Sequence, residues 1–152
     1  MLVAPADLER FVQAQAPVYE AVRLELVAGR KTTHWMWFIF PQLRMLGRSP
    51  TARYFGIEDP AEAARYWRHH ILGSRLAECA RLVLAVRDRS AHAIFGSPDD
   101  LKLCSSMTLF ESVAPEQPVF GQVLDRYYQC QRDRATQDAI ARAAPVTLSR
   151  NL

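Results

Sequence analysis

Thr33-His34-Trp35-Met36-Trp37-Phe38-Ile39-Phe40 is the stretch on which the fold class turns. It is apolar on every side, so neither a helical nor a strand period assigns it. It is also the one segment rich enough in aromatics to compete as a β-strand. Pro41 bounds the segment, because the residue before a proline is pushed out of the α region. The segment is expected to be a short buried helix, capped by Thr33 and ended before Pro41. No Asn-Gly or Asp-Gly hairpin signal occurs elsewhere. The chain is therefore read as all-α.

Helix signals extend from this stretch in both directions. Upstream, Asp7 precedes Leu8, Phe11, Val12 and Gln15, a short amphipathic helix, and Pro17 opens a second that Gly29 ends. Downstream, Asp59-Pro60-Ala61-Glu62 sets a carboxylate at the cap and proline at the first helical position, predicting a helix from Pro60 to about His69. Gly73 then reads as a separator. Leu76, Cys79, Ala80, Val83, Leu84 and Val86 recur at three- and four-residue intervals, giving a core helix from about Ser74 to Arg87. Ser90 to Phe95 is a short helix stopped by Gly96. Ser97-Pro98-Asp99-Asp100 then reads as a hydroxyl cap, proline and two acids, opening a helix from Leu101 to about Val113. Pro115 to Pro118 starts the next, with Phe120, Val123, Leu124, Tyr127 and Tyr128 as its apolar stripe. The last begins near Asp133 and fades by Ala144, leaving a tail, 145–152, expected to fray. The expectation is a compact bundle of about six to eight helices, several short, in one domain over 1–152 with its core at roughly 7–140.

Composition narrows the function classes. At 152 residues and 49% hydrophobic content the chain is globular and large enough to fold without a metal or a disulfide framework. Nineteen basic against sixteen acidic residues leave a net charge of +3, with 17 of the 19 basic residues arginine. So weak and scattered an excess argues against a nucleic-acid partner. Cys79, Cys104 and Cys130 are an odd set without C-x-x-C spacing, expected as small core hydrophobes in a reducing cytoplasm. Pro5 and Asp7 interrupt the N-terminus before any signal-peptide apolar region, and no run approaches a membrane span. A cytoplasmic protein with no membrane partner is expected. The residues specify no oligomeric state.

Two segments carry chemistry. In the run from Lys31 to Leu43, core formation would account for Trp35, Trp37 and the phenylalanines alone. It does not account for the polar fringe of His34, Gln42, Arg44 and Arg48, which suits a pocket for a planar or anionic ligand. The second segment is Asp99 to Phe110. At 100° per residue Leu103, Cys104, Met107 and Phe110 share a core face, while Lys102, Ser105 and Ser106 fall on another arc. That arc is either a solvated helix face with an Asp99–Lys102 pair or the wall of an anion-binding groove. No nucleophile elbow, zincin, P-loop or dinucleotide motif is present, so no cofactor is implied. His34, His69, His70 and His92 lack metal-ligand spacing, and no metal is expected.

Lys31 to Leu43, Leu46-Gly47-Arg48-Ser49, Tyr54-Phe55-Gly56-Ile57 and Leu101 to Phe110 together resemble the domain-of-unknown-function family 1810. The resemblance runs from roughly Asp7 to Ile140 and implies a compact, mainly helical domain, without supplying an activity. The chain departs from the family pattern at Met45, where glycine is expected, and at His70, where proline is usual. A weaker likeness is to small helical domains that bind ADP-ribose and cleave N-glycosidic bonds. There His34 would be the acid/base, with a carboxylate drawn from Asp99, Asp100 or Asp133.

The site expected from all this lies between the aromatic segment and the Lys102 helix and takes a small anionic, nucleotide-like ligand. Trp35 and Trp37 form walls, Gln42, Ser105 and Ser106 hydrogen-bond the ligand, and Arg44, Arg48 and Lys102 neutralise it. The alternatives are a hydrolase of ADP-ribose-type bonds, and an interaction protein without a pocket whose aromatics are all core.

Overall fold

The structure, a computed structural model, describes residues 8–144. Among them are ten α-helices and one short 3-10 turn, joined by no strand beyond an isolated parallel bridge between Leu43 and Ile57. All-α holds, but the helices outnumber the six to eight expected. One helix without a counterpart in the expected set lies in the 40–60 region, where Ser49 accepts a hydrogen bond from the Ala52 amide and Pro50 occupies the first helical position of a five-residue helix.

The helices are α1 (Glu9–Gln15), α2 (Tyr19–Ala28), α3 (Met36–Ile39), α4 (Pro50–Tyr54), α5 (Pro60–Arg68), α6 (Leu72–Ala85), α7 (Ala91–Phe95), α8 (Asp99–Val113), α9 (Val119–Tyr127) and α10 (Arg134–Ala143). The 3-10 turn covers Arg44–Leu46. The predicted Asp7 cap and the tail from Pro145 lie outside the described residues.

Three boundary expectations are corrected. The aromatic helix shrinks to Met36–Ile39 with Trp35 at its start, because Thr33 is bonded elsewhere. Gly73 does not separate helices but sits in the first turn of α6. A Cβ there would lie 2.0 Å from the Trp67 carbonyl oxygen, so the missing side chain is what lets α6 begin against α5. Ser97 caps nothing; α8 starts after Pro98 with no side-chain cap, and Asp100 satisfies the Leu101 amide instead.

Helix α8 is the axis of the fold, packed by α5, α7, α9 and α10. Its residues from Leu103 to Phe110 are all buried. The expected division into a core face and a polar arc therefore applies only to its first turn. Ser105 and Ser106 lie inside, and no group among the described residues meets the Ser106 hydroxyl. Of the thiols, Cys79 and Cys104 are buried as expected, whereas Cys130 is exposed at a left-handed backbone position, so it is not a core residue.

A buried ion pair fixes the connecting loop of the 40–60 region. Arg10 of α1 donates to the Tyr54 and Gly56 carbonyls at 2.8 and 3.0 Å and pairs with Glu62 of α5 at 3.4 Å. Glu62 in turn accepts the Glu58 amide at 2.7 Å. Beside it the Gln42–Arg44 strand of chain crosses Gly56 so closely that a Cβ would fall 2.3 Å from the Arg44 Cα. Arg44 donates to the Ile57 carbonyl and Ile57 to that of Gln42, holding Gln42 and the 3-10 turn beside α8.

Candidate functional site

The aromatic motif is anchored by Glu25, near the end of α2. Its carboxylate accepts the Thr32 and Thr33 amides at 2.8 and 3.2 Å, the Thr33 hydroxyl at 2.6 Å and the Trp35 indole at 2.9 Å. Partial burial alone would raise this carboxyl. The four donors outweigh burial and hold it down at about 2. Trp35 is thereby core, with 1% of its surface exposed and its ring near Phe40 and Phe95. Sequence reasoning missed Glu25. The available signal was an acid in the last turn of a helix, where the dipole disfavours it and some other partner must compensate.

Lys31 leads from this motif to α8. Its ammonium meets Asp99 Oδ2 at 2.9 Å and lies over the Trp35 ring, 5.2 Å from the centroid. The other Asp99 oxygen, Oδ1, is 3.9 Å from the Lys102 ammonium, which stands 5.9 Å over the ring of Trp37. One carboxylate thus faces two cations, tightly for Lys31 and loosely for Lys102.

Lys102 opens on a groove of about 650 Å³ between the 3-10 turn, α4 and the first turns of α8 and α10. This is within the range of small-molecule sites. Gln42, Arg48, Lys102 and Ser105, four of the residues expected at the site, line this groove together. Ser49 and Asp133 add polar atoms, while Leu46, Pro98 and Leu101 supply apolar wall. Among the described residues neither the Gln42 amide nor the Arg48 guanidinium has a side-chain partner. Asp133 does not oppose them freely, since its carboxylate accepts the Thr136 amide and hydroxyl at 3.0 and 2.6 Å.

The remaining expected residues are placed elsewhere. Trp37 is half-buried and borders a narrow cleft beside the groove that shares Gln42 and Lys102 with it. Arg44 pairs with Glu58 at 2.9 Å and faces a separate hollow with Arg53. Trp35 and Ser106 are enclosed in the core. His34 is exposed, borders none of these cavities and makes no hydrogen bond or ion pair among the described residues. The three acids considered as its partners are all engaged, Asp99 and Asp133 as above and Asp100 with the Leu101 amide and His92. Among the described residues no group of three metal-ligating side chains occurs.

Comparison with known proteins matches residues 5–140 to the model of a family described as "Protein of unknown function (DUF1810)". The chain belongs to the DUF1810 family. Among solved structures it is similar to the conserved hypothetical protein Rv1873 from Mycobacterium tuberculosis, with 54% identity over 91% of this chain and 99% of that one, at a TM-score of 0.89. A search of curated proteins finds no significant match. The DUF1810 motifs in this chain divide between structure and groove: the Lys31–Trp35 stretch is fixed by Glu25 and Asp99, whereas Gln42, Arg48, Lys102 and Ser105 share a wall.

Proposed function

We propose that the groove binds a small anionic, nucleotide-like ligand. The observation that carries this reading is that Arg48 and Lys102, from segments far apart in sequence, open on one cavity beside the Gln42 amide, which has no side-chain partner among the described residues. Arg48 has no counter-ion among the described residues, and Lys102 has only a long contact to Asp99. Arginine offers a planar fork for phosphate or carboxylate oxygens, and lysine a mobile point charge. The apolar stretch formed by Leu46, Pro98 and Leu101 suits the less polar body of such a ligand. Binding without turnover is the favoured form, since His34 lies outside the groove and the acids near it are occupied.

The setting that fits is the cytoplasm, where unpaired thiols persist. Among the described residues no helix is long and apolar enough to cross a membrane.

Titration calorimetry with ADP and with adenosine tests the reading. Binding of ADP, no binding of adenosine, and a loss of about tenfold or more in Lys102→Met or Arg48→Ala are expected, the size of one charge-assisted contact. Equal behaviour of the two ligands, or ADP binding untouched by both variants, overturns it.

A further inference from the structure

Resting on that reading of the groove, we infer that Lys31 is a positioning residue for the anion site, acting through Asp99 on the charge that Lys102 presents. Asp99 is a single carboxylate between two ammonium groups, 2.9 Å from Lys31 and 3.9 Å from Lys102. The division is unequal for a structural reason. Lys31 is fixed: its side chain is 7% exposed, its ammonium lies over Trp35, and its backbone amide donates to the Ile94 carbonyl at 2.8 Å. Lys102 is 28% exposed and reaches into the groove. By taking the short contact, Lys31 neutralises Asp99 and leaves the Lys102 ammonium for a ligand. Without Lys31, Asp99 closes on Lys102 and the groove holds its own internal anion, which an incoming one must displace. Without Asp99, Lys102 is unopposed. The lysine at the head of the aromatic motif and the acid at the head of α8 thus regulate one cation between them.

The probe is inorganic pyrophosphate, titrated into the full chain at constant ionic strength. Lys31→Gln should weaken binding and Asp99→Asn should tighten it, each by roughly threefold, the scale of one partly exposed ion pair. Lys31→Arg should restore wild-type affinity. Asp100→Asn removes the same charge one residue away and should leave affinity within about twofold of wild type, a shift smaller than that pair would give. Melting temperatures accompany each variant. Lys31→Met, which keeps the aliphatic stem over Trp35, replaces Lys31→Gln if the latter does not fold. Equal tightening by Asp100→Asn would mean a general field effect and overturns the inference. So does a wild-type affinity in Lys31→Gln and Asp99→Asn when Lys102→Met has lost binding, a result that leaves the groove reading standing. No pyrophosphate binding by either wild type or Asp99→Asn overturns both.

Discussion

The indole Nε1 of Trp35 donates to Glu25 Oε1 at 2.9 Å, so a ring at the centre of the core is tied to the end of α2 by a carboxylate that also holds the intervening loop. Glu25→Ala removes the acceptor of four hydrogen bonds. It should cost about 2 kcal/mol after allowance for solvent screening, measured by urea unfolding. The pH dependence follows from the direction of the shift. The folded carboxyl titrates at about 2, below its unfolded value of roughly 4.3, so its stabilisation is complete above the unfolded value and is lost as pH falls towards 2. Melting temperatures between pH 5 and 2 should therefore fall less steeply in Glu25→Gln than in wild type.

Glu62 tests the lock that places the groove's outer wall. Its side chain is fully enclosed and answers Arg10 and the Glu58 amide. Glu62→Ala takes away one acceptor of the buried Arg10 guanidinium and the acceptor of the Glu58 amide, and should destabilise by about 2–3 kcal/mol. Because Arg10 also holds the Tyr54 and Gly56 carbonyls, amide exchange around residues 50–57 should accelerate in this variant before global unfolding.

The two tryptophans of the motif should separate cleanly. Trp35→Ala empties a core position and should cost roughly 3–5 kcal/mol. Trp37→Ala removes a half-buried ring beneath Lys102 and should fold, with a smaller loss of stability and weaker binding of ADP in the same calorimetric assay. If Trp35→Ala folds at wild-type stability, the account of the motif as core fails.

Ser106 supplies a prediction of opposite sign. Its hydroxyl is buried in α8 with no hydrogen-bond partner among the described residues. Ser106→Ala removes that desolvated group and should leave stability unchanged or raise it by up to about 1 kcal/mol. Ser105, whose hydroxyl donates to the Leu101 carbonyl at 3.3 Å and lines the groove, should not show the gain.

Local signals in the sequence were most informative where one side chain meets its own backbone. Asp59-Pro60, Ser90, Asp133 and Gly29 mark helix ends through bonds or dihedrals confined to a few residues, and the structure places helix boundaries beside each. Signals failed where a distant partner overrides the local one. Thr33 has the chemistry of a cap, but Glu25 claims it; Gly73 has the composition of a break, but the Trp67 carbonyl requires its bareness. Helical periodicity gave α8 one polar arc, and periodicity cannot show that four helices enclose it. At the groove Gln42 and Arg48 meet Lys102 from a distant segment, a convergence that helical periods do not report. Arg44 and His34 belong to the same fringe but turn elsewhere, a difference of loop path that only coordinates carry.

The enclosure of α8 from Leu103 to Phe110 has a mechanical consequence for the site at its head. A rod gripped along that length by four neighbours cannot slide or tilt without opening the whole interior, so its amides should exchange only through complete unfolding. Lys102 therefore projects from a fixed post, and whatever adaptation an occupant demands must come from the 3-10 turn and the side chains it bears. Ligand-induced shifts in an NMR spectrum should accordingly cluster between Gln42 and Ala52 and fade within one turn of the post.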